Sequence, residues 1–281
     1  MISVLILTYN EERNIRQCLE SLKGFTEDIY VLDSHSNDDT VNIAKEFLPS
    51  ENIKYRTFDN YSKQRNWALK NISYKYEWLL MLDADEILTE EVKSSINSNI
   101  NDPKNVDVVG FIGRYRMYFL NKRLRYNLWP FKKKILFRHK DVKFERDINE
   151  YVEVINESRV KWKTLDGFLV HKDNKSMHDH IAKHNHYSTM EAFRIIEERK
   201  EPIQLKEITK ITEVKKIFYR LPLRNLVYFL YLYIYRLGFL DGLTGLRFVL
   251  TRVNYQFDIN IKIREIMNGD IEREQYISFK K

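Results

Sequence analysis

Apolar and polar positions alternate with two different periods along the first hundred residues. Ser3 to Leu7, Asp28 to Asp33 and Glu77 to Leu82 are short, largely apolar runs, two of which meet carboxylates at Asp33 and Asp83. Such runs predict strands buried on both faces, as in parallel sheets. Between the first two, Ile15, Leu19 and Leu22 recur at spacings of four and three, which predicts a helix ended by Gly24. Val41 to Phe47 and Ser62 to Ile72 predict two more helices, with a strand over Ile53 to Phe58 between them. This strand–helix rhythm predicts an α/β fold with a parallel, helix-covered sheet.

Farther along, Val108 to Ile112 and the alternating Arg114 to Tyr118 predict a strand pair, and Asp166 to His171 a short strand ending in histidine. Ser176 to Glu198 predicts a helix with Ile181, His184, Tyr187 and Ser188 on one face. Leu226 to Tyr235 is an apolar run of ten residues broken by Arg236, and Phe248 to Phe257 predicts a last helix. The organisation expected is a half over 1–105, a second half of the same domain over 106–175, and a helical region over 176–281.

Composition narrows the function classes. The 281 residues are 43% hydrophobic, enough for a core, and carry a net charge of +7, which suits phosphate-bearing or anionic-surface partners. Cys18 is the single cysteine, so there is no disulfide framework, in keeping with a reducing compartment. The start reads as a strand, not a signal peptide. No apolar run reaches the ~18 residues of a membrane span. The first glycine is Gly24, so no Gly-x-Gly-x-x-Gly or Walker loop follows the first strand.

Polar side chains gather instead at successive strand ends: Thr8 to Glu11, Asp33, Arg65 with Asn66, then Asp83 and Asp85. Ligands of open α/β sheets sit past such ends. Two acids one residue apart can grip a hard cation that also holds phosphate oxygens. Asp33 can accept from a base or ribose, and Arg65 can pair with base carbonyls or phosphate. Taken singly, Asp33 and Ser34 also read as helix caps and Arg65 as a surface charge.

Thr8-Tyr9-Asn10-Glu11, Val31-Leu32-Asp33-Ser34 with Asp39-Thr40, Gln64-Arg65-Asn66-Trp67-Ala68 and Leu82-Asp83-Ala84-Asp85-Glu86, in this order, resemble family 2 glycosyltransferases. The resemblance implies the nucleotide-diphospho-sugar transferase fold: GT-A type, a Rossmann-like mixed, mostly parallel sheet with helices on both faces, here with a C-terminal helical appendage. It also implies that Thr8, Tyr9, Asn10, Glu11, Asp33, Arg65, Asp83 and Ala84 line the nucleotide-sugar site, with Asp33 at the base and Asp83 near the ribose. Asp85 would bind a divalent cation, Mg²⁺ or Mn²⁺, with His171 as a further metal or diphosphate contact. Asp147 to Val154 looks like a motif of the subset that builds lipopolysaccharide core. Glu150 falls in its acidic place, and Asn149 stands where that subset shows His. An inverting transfer needs one base to take the acceptor proton. Glu150 is the first candidate and Asp147 the second, against the plain reading of a carboxylate in an exposed loop.

Between Arg114 and Arg146, twelve Lys or Arg face two acids, with Tyr115, Tyr118, Tyr126 and Trp129 among them. This is either a solvated basic face or a rim for an anionic acceptor. His180 and His184 lack the neighbouring Glu of a zincin helix, so no zinc site is expected there. From Leu205 to Arg236, seven basic residues face two acids beside a tyrosine-rich run. That suits peripheral membrane contact through 205–245, the alternative being a buried helix or a dimer contact. The expected activity is metal-dependent, inverting transfer of a hexose, glucose first, from a UDP-sugar to a hydroxyl of a lipid-linked or lipooligosaccharide acceptor. The expected location is cytoplasmic, at the inner face of the cytoplasmic membrane. A nucleotidyltransferase acting on a sugar phosphate and an inactive transferase-like binding module are the alternatives. No nucleic-acid recognition motif is present.

Overall fold

The computed structural model describes residues 1–126, 131–145, 151–200 and 223–269. The chain divides into two compact units, Met1–Arg123 with Trp129–Lys175, and Leu124–Leu128 with Ser176–Lys281.

The first unit opens with β1 (Ser3–Thr8), α1 (Ile15–Ser21), β2 (Ile29–Asp33), α2 (Thr40–Lys45), β3 (Ile53–Tyr55), α3 (Tyr61–Asn71) and β4 (Trp78–Asp83). Then follow β5 (Glu86–Ile87), α4 (Glu90–Ile100), β6 (Val108–Phe119), β7 (Lys122–Leu124), β8 (Phe131–Arg138), β9 (Val142–Glu145), β10 (Tyr151–Val154), β11 (Lys161–Thr164) and β12 (Leu169–His171). The main sheet runs β3-β2-β1-β4-β8-β6-β12-β5, and β9 and β10 form a separate antiparallel pair. β1 to β4 are mutually parallel, as are β6 and β12, while β8 lies antiparallel between β4 and β6. The mixed, mostly parallel GT-A architecture expected from the motifs is the one observed.

Strand alternation divides the core. Val4, Ile6, Val31, Leu80 and Leu82 pack with Ile15 and Leu19 of α1, Ile43 of α2, and Val92 and Ile96 of α4. Leu5, Leu32, Leu79 and Met81 face the other way, onto Ala68 of α3, Ile72, and Val142, Phe144 and Val152 of the β9–β10 pair. Helices therefore cover both faces. Right-handed crossovers require this, because the chain steps outward from β1 to β3 and then returns to β4 on the far side of β1. Each fully buried aliphatic side chain here contributes about 1.5–3 kcal/mol.

Two of the expected strands need correction. Residues 108–119 form one strand, not a pair, because Gly113 makes no turn. A Cβ there would lie 2.5 Å from Ile135 Cδ1, so the glycine admits a neighbouring side chain across the sheet. The Ile53 strand also ends earlier than expected, at Tyr55.

The second unit contains α5 (Met177–Lys200), α6 (Arg224–Leu230) continued by a wide helical turn over Tyr231–Tyr235, and α7 (Gly242–Met267), much longer than the 248–257 helix expected. Ala192, Ile195 and Ile196 of α5 meet Ile259 and Ile263 of α7. Lys262 of α7 donates to Asn185 O at 2.6 Å, Ser188 Oγ at 2.8 Å and Thr189 Oγ1 at 2.9 Å, tying the two helices by a polar clamp.

Candidate functional site

The order of the parallel strands reverses at β1, which lies between β2 and β4. Ligands of open α/β sheets bind outside the strand carboxyl ends at such a point. The register puts Thr8 beside Asp33 and Leu7 beside Asp83, so the expected residues share one sheet edge. Thr8 Oγ1 donates to Asp33 Oδ1 at 2.8 Å, and Ser36 donates its N–H to Oδ2 at 2.7 Å and its hydroxyl to Oδ1 at 2.6 Å. Asp33 is fully buried and caps no helix. Its carboxylate holds the loop after β2 in place.

That loop is laced to the one after β1. Asn10, at φ 54°, donates its N–H to Ser36 Oγ at 2.8 Å and accepts from Asn37 N at 3.0 Å. Glu11 N donates to Thr40 Oγ1 at 2.7 Å. Tyr9 stands 56% exposed between these anchored neighbours, free to lie against a ligand.

At the end of β4, Asp83 is gripped by two cations. Arg65 Nη2 lies 3.3 Å from Oδ1 and Lys133 Nζ lies 2.6 Å from Oδ2. Arg65 is held by Tyr61 and Phe144, whose ring centres lie 5.6 and 5.7 Å from its guanidinium carbon. Burial raises the pKa of Asp83, but Lys133 and Arg65 outweigh it and hold the carboxyl well below the usual range. Its side chain still keeps 39% exposure, so the carboxylate is reachable. Glu86 is buried. It accepts from Asp83 N at 3.0 Å and from Lys133 at 3.1 Å, and burial raises its pKa against the pull of Lys133. For Lys133 itself, burial is outweighed by the two carboxylates, and its pKa rises. Ala84 turns into the core.

Asp85 points to a different partner. β5 pairs antiparallel with β12, with His171 opposite Glu86, and this brings His171 Nε2 within 3.4 Å of Asp85 Oδ2. The Nδ1 of His171 is buried without a protein partner. Glu11 lies close enough for Asp85 to help raise its pKa, although burial is the main cause and Lys175, 2.6 Å away, opposes it. A carboxylate oxygen and an imidazole nitrogen at this spacing can occupy adjacent positions around one small divalent ion, with other positions left for phosphate and water. The residues present therefore fit such an ion. No group of three or more His, Cys, Asp or Glu suited to a metal occurs among the described residues, so Asp85 and His171 would offer an ion two donors.

Sequence reasoning missed the role of Lys133. Strand alternation splits Lys132, Lys133 and Lys134, three consecutive lysines of the basic stretch read as a solvated face or an acceptor rim. Lys133 enters the acidic cluster, while Lys134 lies 4.2 Å from the Trp162 ring centre and donates to Val152 O at 3.3 Å. Arg114 and Arg116 stack on Phe168. It also missed Asn14, which donates to Glu11 at 2.8 Å and Asp173 at 3.0 Å and accepts from Asn174 N at 2.8 Å. Glu150, Asp147, Asn149 and Trp129 lie outside the described residues.

The model of the family described as glycosyl transferase family 2 matches residues 3–154. The SPbeta prophage-derived glycosyltransferase SunS of Bacillus subtilis (strain 168) is 43% identical over 93 residues, 32% of this chain and 21% of that protein's length. The lipopolysaccharide core biosynthesis glycosyltransferase LpsC of Rhizobium meliloti (strain 1021) is 26% identical over 272 residues, 93% of this chain and 91% of that one. Among solved structures, S. aureus TarS 1-349 aligns with 97% of this chain and 93% of its own, at 17% identity and a TM-score of 0.44.

Proposed function

The chain belongs to glycosyl transferase family 2, and from that premise we propose that it transfers a hexose, glucose first, from a UDP-sugar to a hydroxyl of a lipid-linked or lipooligosaccharide acceptor, with inversion. The observation that carries this reading is the acidic strand end. Asp83 is kept ionised yet reachable, and Asp85 stands 3.4 Å from His171 two residues on. The name of LpsC, which aligns along nearly the whole chain, favours a lipopolysaccharide-type acceptor.

In this mechanism Thr8, Tyr9, Asn10, Glu11 and Asp33 shape the nucleotide pocket, Arg65 contacts base or diphosphate, and Asp83 accepts from the ribose, while Ala84, which turns into the core, takes no direct part. Asp85 and His171 would hold Mg²⁺ or Mn²⁺, and such an ion would supply positive charge against the departing diphosphate. Glu150, or failing it Asp147, takes the acceptor hydroxyl proton. The acceptor oxygen attacks the anomeric carbon as the bond to the β-phosphate oxygen breaks, and UDP leaves. Of the basic residues between Arg114 and Arg146, those that stay exposed, Lys122, Arg123 and Lys132 among them, face the anionic acceptor. The reaction takes place at the inner face of the cytoplasmic membrane, where the enzyme docks peripherally.

The test is to incubate the full chain with a UDP-hexose and Mn²⁺ and to measure free UDP. Release that needs the metal and rises with a lipooligosaccharide acceptor is expected. Pyrophosphate release from a nucleoside triphosphate and sugar phosphate would point to nucleotidyl transfer, and silence with every nucleotide sugar to a binding module.

A further inference from the structure

The helix over 224–235 is amphipathic in the inverted sense. Leu223, Leu226, Leu230 and Ile234 recur at spacings of three and four and are exposed, as are Tyr231 and Tyr235 beside them. Arg224, on the same helix, is buried, with Nη2 3.5 Å from Gln256 O. In a helix that faces water these positions are exchanged. The exposed side continues past the break, where Leu240 and Leu243 are 51% and 61% exposed. A contiguous apolar stripe free of charge marks a surface that something covers.

Chemistry selects the cover. The Tyr231 and Tyr235 rings stack at 5.5 Å on the outward side, and amphipathic rings prefer the headgroup level of a bilayer. Arg247 is exposed just beyond the stripe, and the chain that precedes it in sequence, over 205–222 and outside the described residues, is rich in Lys and Arg, which suits anionic lipid. Among the described residues no single helix is long and apolar enough to cross a membrane. The pair over 224–235 and 238–267 is bent by 69°, and its second arm carries Arg252, Asp258 and Lys262. The two arms pass a span's length and composition test only when taken together, and the charges of the second arm suit the interface instead, where apolar faces sink about 5–10 Å.

We propose that the outward stripe from Leu223 to Leu243 is a shallow insertion surface for an anionic bilayer, with Leu226, Leu230 and Ile234 in the acyl boundary and Tyr231 and Tyr235 at headgroup level. It gives the proposed membrane docking its contact surface, and it rests on that reading for the choice of a bilayer over a protein partner. Of the four tyrosines that suggested membrane contact, only Tyr231 and Tyr235 belong to this surface, because Tyr228 and Tyr233 are half-buried.

The experiment is flotation of the full chain with vesicles of phosphatidylcholine alone and with about a third phosphatidylglycerol. The wild type should float with the anionic vesicles. A Leu226→Glu, Leu230→Glu, Ile234→Glu triple variant should bind at least about tenfold more weakly. Tyr231→Trp should shift to shorter emission wavelength on vesicle addition and be quenched by lipid brominated near the headgroup. Circular dichroism and UDP release with a water-soluble acceptor, run on the same preparations, separate this proposal from the transferase reading, since the triple variant should keep both. Unchanged flotation of the triple variant overturns the proposal. So does a wild type that ignores both vesicles and elutes as a dimer which the triple variant dissociates, because the stripe is then a contact between copies.

Discussion

Lys133 Nζ sits 2.6 Å from Asp83 Oδ2 and 3.1 Å from Glu86 Oε1, so one ammonium serves two carboxylates at the end of β4. With Arg65 on the other oxygen of Asp83, the charges nearly balance. Lys133→Met leaves Glu86 buried without its cation and weakens the hold on Asp83. The variant should lose about 2 kcal/mol, below the 3–5 of a fully buried pair because Lys133 is partly exposed. UDP release should fall about tenfold to a hundredfold, with Lys133→Arg restoring much of it. Urea unfolding and initial rates check both. A variant as active and stable as the wild type would mean that Lys133 only decorates the strand.

Asp85 and His171 make separable contributions in the two-donor reading. Asp85→Ala should lower UDP release about a thousandfold while the fold persists, since only the carboxylate brings negative charge to the ion. His171→Ala should raise the Mn²⁺ concentration for half-maximal rate about tenfold to a hundredfold and lower the saturated rate less. Metal titrations of the initial rate distinguish these patterns. Equal metal dependence in the His171 variant and the wild type would remove the imidazole from the site.

His184 gives the second unit a pH dependence of known sign. Burial, the neighbouring His180, Arg252 and Lys183 lower its pKa from 6.5 to about 4. The folded state therefore resists a proton that the unfolded chain accepts below 6.5. The stabilisation is complete above that value and is lost as pH falls towards 4. The loss should reach about 2 kcal/mol, allowing for partial exposure. Nuclear magnetic resonance titration should show the His184 ring proton moving near pH 4. His184→Gln should flatten the decline of the urea midpoint between pH 6.5 and 4.

Thr8, Asp33 and Asp83 are legible in the sequence because each lies at the end of a largely apolar run, and strand ends in a parallel sheet converge. Asp85 with His171 is legible only through a family resemblance, since 86 positions separate them and β5 and β12 must pair first. Lys133 is not legible. Lys132, Lys133 and Lys134 are equivalent in sequence, and their fates diverge only once β8 enters antiparallel between β4 and β6. The inverted helix is half legible: its apolar run and tyrosines stand out, but which side faces outward depends on where Arg224 is buried.

The twelve-residue β6 contains two glycines, Gly110 and Gly113, the second of which falls where a local reading breaks the strand in two. A Cβ on Gly113 meets Ile135 at 2.5 Å and Leu169 at 2.9 Å, both flexible side-chain ends. On Gly110 it meets the Trp162 ring at 2.5 Å and the Leu136 carbonyl oxygen at 2.6 Å, and backbone cannot move aside so easily. Both alanine variants should lose stability, Gly113→Ala by about 1 kcal/mol and Gly110→Ala by about 3 kcal/mol. Urea midpoints of the two variants give the order, and a reversal would show that the sheet yields more readily at β8 than its side chains do.

Asn14 links the start of α1 to the loop that follows His171. It is 2% exposed and makes three polar contacts, with Glu11, Asp173 and Asn174. Asn14→Ala leaves the Glu11 and Asp173 carboxylates each short of a donor and the Asn174 N–H without its acceptor, at a cost of about 1–3 kcal/mol. Because that loop begins one residue past His171, the loss should also loosen the imidazole next to Asp85. The half-saturating Mn²⁺ concentration should therefore rise while the rate at saturating metal changes little, since no group that touches the reacting atoms is removed. Asn14→Asp makes a sharper control: it keeps the size but sets a third carboxylate against Glu11 and Asp173, so it should destabilise at least as much as the alanine. If Asn14→Ala lowers the saturated rate as strongly as Asp85→Ala, Asn14 acts on the substrate itself and not through the loop.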